Sequence, residues 1–225
     1  MSVGGRRTVS GAQRVVVFSA TAGYRHESIP AAVSALAAMP RLDVVASEDA
    51  AVLHDLAGVG AVVFASTSGD VLDRAARASL RGYVEAGGGF AGIHCAAATE
   101  QSWPWYAQLL GARFAGHPPG VQAGTAVVAD AAHPSTEAVP PRWTVVDEWY
   151  AFTDVRADLN VLLAVDESTY APGEFTMEWP HPQAWHRRVG RGWSWFTALG
   201  HRAEIWSDPV FLRHVLGGVR SVLPG

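Results

Sequence analysis

Lysine is absent from this chain; all 17 basic residues are arginine. That excludes a phosphate-loop lysine, a Schiff-base lysine and a pyridoxal-phosphate anchor. Cysteine is nearly absent. The single thiol, Cys95, excludes an internal disulfide framework and a cysteine-based zinc cluster. Basic runs are missing and the formal net charge is −4, so no nucleic-acid partner is expected. The first apolar run spans only Val15 to Phe18, too short for a signal h-region or a membrane span. No membrane association and a cytoplasmic location are therefore the expectation. No Gly-x-Gly-x-x-Gly follows that run, which argues against a dinucleotide cofactor.

What the chain does have is apolar mass. Hydrophobic residues make up 49% of 225 positions, enough for a sizeable core in one α/β domain. Residues 1–13 read as a disordered start and 14–225 as a single domain. Strands are expected at 14–19, 43–47, 61–66 and 90–94, alternating with a helix ending near Met39, a short helix or turn over 51–57 and a helix capped by Asp70. Ser28 reads as the N-cap of the first helix and Pro30 fits its first turn. Such alternation implies right-handed crossovers and a mainly parallel, doubly wound sheet. Further on, a short helix fits 103–110, a loop 114–119, and strands 121–129, 143–150 and 160–165. Residues 169–182 read as a mobile loop. A last strand covers 192–199, and Asp208-Pro209 opens a final helix ending at Gly217-Gly218. Additional β structure is thus expected in the second half.

Gly87-Gly88-Gly89-Phe90-Ala91-Gly92-Ile93-His94 is the centre of this pattern. Glycine stops the preceding helix, because it takes the left-handed conformation at little cost. Ligands of open α/β sheets bind outside the carboxyl ends of the strands. His94 stands at such an end, His26 follows the first strand, and His201 follows the last. Glu148 lies in Asp147-Glu148-Trp149-Tyr150. Histidine suits proton transfer near neutral pH, so His94 and His26 are the candidate acid–base pair, with Glu148 and His201 beside them. Arg25 is a candidate for holding an oxyanion. Tyr24, Trp149, His181, Trp185 and Glu204 are candidate substrate contacts, the aromatics offering flat apolar faces to a ligand. Seven of nine tryptophans follow residue 142. Exposed aromatics there leave room for a homo-oligomer. His54, His133 and His214 read as solvated, and His117 as intermediate.

Gly23-Tyr24-Arg25-His26-Glu27-Ser28-Ile29, the glycine stretch through His94, Asp147-Glu148-Trp149-Tyr150, and Gly200-His201 through Gly217-Gly218 together resemble the ThuA-like (trehalose-utilisation) family. The likeness runs from about Arg14 to Leu223. It implies a flavodoxin-like three-layer sandwich similar to class I glutamine amidotransferases. Those enzymes carry a cysteine nucleophile after a Gly-Ile pair; here His94 holds that slot and Cys95 is one place on. Glutamine hydrolysis is therefore not expected, and Cys95 is expected to be a small packed residue.

The resemblance also implies sugar metabolism, with a disaccharide or 3-keto-glycoside as small-molecule substrate. Three readings stay open on sequence. One is histidine acid–base chemistry, cleaving or epimerising a keto-glycoside. A second is a non-catalytic sugar- or partner-binding module. The third is a metal-assisted sugar hydrolase, since histidine and carboxylate suit divalent metals. No organic cofactor is expected, and a divalent metal is left open, with no paired-histidine spacing to place it.

Overall fold

The computed structural model describes residues 12–224. The first apolar run forms β1 (Gln13–Phe18), and its pleat serves two cores at once. Val15 and Val17 enter one; Val16 and Phe18 enter the other. A strand covered on both faces needs such an unbroken apolar run. The chain continues as α1 (Ile29–Ala37), β2 (Leu42–Ser47), β3 (Ala61–Ala65), α2 (Arg74–Glu85), β4 (Gly89–Ile93) and α3 (Pro104–Leu110). Then come β5 (Arg113–Gly116), β6 (Gln122–Val128), β7 (Arg142–Asp147), β8 (Ala151–Thr153), β9 (Asn160–Asp166), β10 (Pro182–Val189), β11 (Gly192–Thr197) and α4 (Pro209–Ser221).

A nine-stranded sheet runs in the order β2-β1-β3-β4-β11-β10-β9-β6-β7. The first five strands of that order are parallel, and each later neighbour is antiparallel. On one face α1 and α4 bury Ala32, Leu36, Phe211 and Val215; on the other α2 and α3 bury Ala76, Leu80, Val84 and Leu109. This is a flavodoxin-like three-layer α/β sandwich, extended by antiparallel strands from the second half. The pair β5–β8 forms a separate ribbon.

Several local expectations need correction. Ser28 precedes α1 but makes no side-chain cap, and its hydroxyl has no protein partner. The cap of α2 is Asp73, which accepts from the Ala76 amide. Asp70 instead accepts from the Ser102 hydroxyl. The span 114–119, read as a loop, begins in β5. Residues 182–189, given no element on sequence, form β10. Its polar residues hide the strand pattern because they are buried with partners: Arg187 bonds Asp158 and the Gln108 carbonyl. Gly217 and Gly218 do not end α4. They let it approach Pro134 and the Trp195 ring, which a Cβ at either position would strike. His133 and His214, read as solvated, are buried. The expected disordered start lies outside the described residues up to residue 11, and Gln13 already belongs to β1.

Candidate active site

The carboxyl ends of β1, β3 and β4 are laced together by their own loops. Ala22 and Gly23 donate to the Ser68 carbonyl, and the Ser68 hydroxyl donates to the Tyr24 carbonyl. Gly69 has φ 72°, and a Cβ there would stand 2.9 Å from the Gly23 nitrogen, so this crossing requires glycine. Glu100 completes the lacing. Its buried carboxylate accepts from the amides of Val71 and Leu72 and pairs with Arg77. These bonds fix the loop that carries Tyr24 and His26.

His94 turns the chain sharply at the end of β4. Its φ is 51°, left-handed for a residue with a Cβ, and a single 3-10 turn follows. Such strain, of order 1–2 kcal/mol, persists where surrounding contacts hold it. Here the His94 ring is fully buried, and its Nδ1–H donates to the Ala198 carbonyl at 2.6 Å. That bond fixes the tautomer and turns the Nε2 lone pair toward the strand ends.

Other elements converge on this nitrogen. His26 Nε2 lies 3.0 Å away, the Tyr150 hydroxyl 2.9 Å, His201 Nδ1 3.3 Å and Glu148 Oε2 3.6 Å. Glu148 Oε2 also stands 3.0 Å from His201 Nδ1 and 3.7 Å from His117 Nε2. The donor atoms of His26, His94, Glu148 and His201 all fall within 4.8 Å of one another, close enough to share a metal ion. Burial pushes His26 down to about 4, helped by nearby His201. Burial also holds His94 well below the usual histidine range, again beside His26. The hydrogen bond that His201 donates to the Glu148 carboxylate raises the His201 pKa.

Residues outside the cluster hold it. The Asp147 carboxylate accepts from the amides of Glu148, Gly200 and His201, so one buried group joins the end of β7 to the end of β11. Burial pushes its pKa up to about 6 against those three bonds. His181 donates from Nε2 to the Tyr150 carbonyl, with Glu167 against its Nδ1, and Gln183 donates to the same carbonyl.

A cleft of about 480 Å³ opens beside the cluster. His26, Glu148 and Tyr150 line it with Tyr24, Phe114 and His117. Tyr24 is 66% exposed and stands edge-on to His26. His117 Nδ1–H donates to the Pro118 carbonyl, which leaves its Nε2 as the basic nitrogen. Cys95 also lines the cleft, but burial pushes its thiol up to about 12, the wrong direction for a nucleophile. A second cleft, about 550 Å³, lies between α1 and α4 and is lined mainly by apolar side chains such as Met39, Trp206 and Leu212. The titratable cluster is elsewhere, so the smaller cleft is the candidate site.

The structure brings His26, His94, Glu148, His201 and Tyr24 together. Other expected contacts go elsewhere. Arg25 pairs with exposed Glu48 and does not reach the cleft. Trp149 is buried and donates to the Gln122 carbonyl; Trp185 is buried and donates to the Leu110 carbonyl. Both indoles are core, Trp185 within β10 and Trp149 between β7 and β8. His181 supports Tyr150 from beneath instead of facing a ligand. Glu204 is exposed beside Arg202. Sequence reasoning passed over Asp147 and the Tyr150 hydroxyl, and left His117 as intermediate. The first two lie in the singled-out Asp-Glu-Trp-Tyr stretch, while His117 sits in a stretch with no periodic signal.

An amidotransferase-like sheet with histidine at the elbow and a histidine–carboxylate cluster over the strand ends defines the class of protein. The chain matches the ThuA family, described as trehalose utilisation, over residues 14–221, and it belongs to that family. No curated protein matches it. Among solved structures, a putative ThuA-like protein from Bacteroides uniformis ATCC 8492 is 18% identical, with TM-score 0.76, covering 96% of this chain and 94% of that one. One from Parabacteroides merdae ATCC 43184 is 16% identical, with TM-score 0.74, covering 94% and 90%. A cytoplasmic protein from Salmonella typhimurium is 12% identical, with TM-score 0.69, covering 94% and 99%. At these identities the likeness speaks for the fold alone. Among the described residues, no helix is long and apolar enough to cross a membrane.

Proposed function

We propose that this chain is an enzyme of carbohydrate metabolism that acts on a sugar carrying a ketone two carbons from its glycosidic carbon, a 3-keto-glycoside. The supporting observation is the convergence of His26, His94, Glu148, His201 and Tyr150 at the floor of an open cleft whose wall holds His117. Binding alone has little use for so many proton-transfer groups in one place.

The ketone at C3 acidifies the hydrogen on C2. The ketone oxygen docks against the Tyr150 hydroxyl and the imidazoles behind it, so the charge that develops there meets hydrogen-bond donors. His117 Nε2 takes the C2 proton and the enolate forms. As the ketone re-forms, a C1–C2 double bond appears and the C1–oxygen bond breaks. The departing oxygen receives the proton that His117 took. Water then adds its hydroxyl at C1 and its proton at C2, giving net hydrolysis. Return of the proton to the opposite face of C2 would give epimerisation instead. Tyr24 and Phe114 offer flat faces to sugar C–H groups. His94 is buried behind this floor and orients it. A cytoplasmic location, as the Salmonella protein carries, is part of this reading.

The test is product analysis after mixing the protein with 3-keto-trehalose, with trehalose as control. Glucose release or a C2 epimer from the keto-sugar alone supports the reading. Tight binding of the keto-sugar without either product would replace it with the binding-module reading.

A further inference from the structure

We propose that His26, His94, Glu148 and His201 form a binding site for a divalent first-row transition metal, an N3O donor set. The inference is independent of which sugar the enzyme takes. Its first ground is crowding. His94 Nε2 is aimed inward by the Ala198 bond and carries one lone pair, which can accept one hydrogen bond. Three heteroatoms stand within 3.3 Å of it, namely the Tyr150 hydroxyl, His26 Nε2 and His201 Nδ1. Hydrogen bonding satisfies at most one of these contacts through that lone pair. A cation at their centre satisfies the two imidazoles and the carboxylate together with His94.

The second ground is spacing. Zinc bonds of about 2.0–2.1 Å give donor–donor edges of about 3.4 Å in a tetrahedron and about 3.0 Å in an octahedron. Four of the six edges are 3.0 Å for His26–His94, 3.3 Å for His94–His201, 3.0 Å for His201–Glu148 and 3.6 Å for His94–Glu148, and all six lie within 4.8 Å. The third ground is the supporting shell. A metal-bound histidine commonly donates its other nitrogen to a carbonyl, as His94 does to Ala198. Asp147 fixes the backbone of both Glu148 and His201. His26 Nδ1 has no protein partner, so His26 is the least firmly held of the four. Glu148 and His26 also line the cleft, so a metal there would face the substrate and could polarise its ketone oxygen.

The experiment uses the full chain made without a histidine tag, stripped with chelator and titrated with cobalt(II) and zinc. Visible absorption of the cobalt form and metal content after dialysis are the readouts. About one metal per chain is expected, with zinc displacing cobalt. His94→Gln and Glu148→Gln should each weaken binding by more than about tenfold, His26→Gln by less. His201→Gln, at the more exposed rim, serves if a buried variant does not fold, and His54→Gln should change nothing. Binding that survives both His94→Gln and His201→Gln, or no binding below millimolar metal, would overturn the site. Product formation by the metal-stripped protein would then still be judged separately, so loss of the metal proposal leaves the keto-glycoside reading standing or falling on its own assay.

Discussion

Tyr150 is the residue on which three layers of the site meet. Its hydroxyl touches His94 Nε2, its ring stacks near His117, and its carbonyl is held by His181 and Gln183. Removing the hydroxyl leaves the ring and the carbonyl bonds in place. Tyr150→Phe should therefore fold normally and lower turnover of a keto-glycoside by about a hundredfold, the usual loss for one donor at a developing oxyanion. His117→Gln should do the same by removing the proposed base, again at about a hundredfold. Rates and unfolding midpoints of both variants check these expectations, and an unchanged rate in either removes its role. Asp147 makes a different prediction, because it touches no substrate. Asparagine there turns one acceptor into a donor facing amide hydrogens. Asp147→Asn should cost about 2 kcal/mol in urea unfolding. The sequence marked this stretch, but its neighbours Trp149 and Glu148 drew attention to the wrong side chain for one role. Which of four adjacent residues faces a cleft depends on where β7 stops, and that is a tertiary outcome.

At the scale of elements, the parallel half was legible and the antiparallel half was less so. β3, β4 and the Val15–Phe18 part of β1 are unbroken apolar runs, and α2 repeats buried residues at 76, 80 and 84. Both patterns follow from burial on known faces. β10 was not legible, since its buried Gln183 and Arg187 are satisfied by partners distant in the chain. The glycine pair in α4 misled for the same reason. Gly217 and Gly218 suit a helix end, but here they answer a close approach. A Cβ at 218 would stand 2.1 Å from the buried Trp195 ring. Gly218→Ala should therefore destabilise the chain by about 2 kcal/mol despite alanine's better helix propensity, because overpacking outweighs it. Denaturant unfolding with a rise in stability instead would show that Trp195 and α4 can part freely.

For the whole molecule, acid should loosen the fold through histidines remote from the cleft. Burial lowers His214 to about 4, against the Ser135 carbonyl bond, and lowers His133 to about 4 beside His186. A depressed histidine is neutral in the fold and takes its proton more readily when unfolded. Its contribution is complete above about pH 6.5 and falls as pH drops toward 4. For fully buried His214 the loss reaches about 3 kcal/mol. Stability measured across that window should decline, and His214→Gln should flatten the decline. The fold class was readable from alternation and from the ThuA likeness. The site was readable as three histidines at strand ends with Glu148 and Tyr24 beside them, but not as one cluster, because convergence belongs to the whole sheet. The central claim is that His117, on the wall above this convergence, abstracts the proton next to a sugar ketone. Its most direct measurement is proton NMR of the C2 signal of a 3-keto-glucoside in heavy water, with wild type and His117→Gln side by side. The account predicts rapid loss of that signal with wild type and little above background with the variant. Equal rates in the two proteins, or no exchange in either, would contradict it.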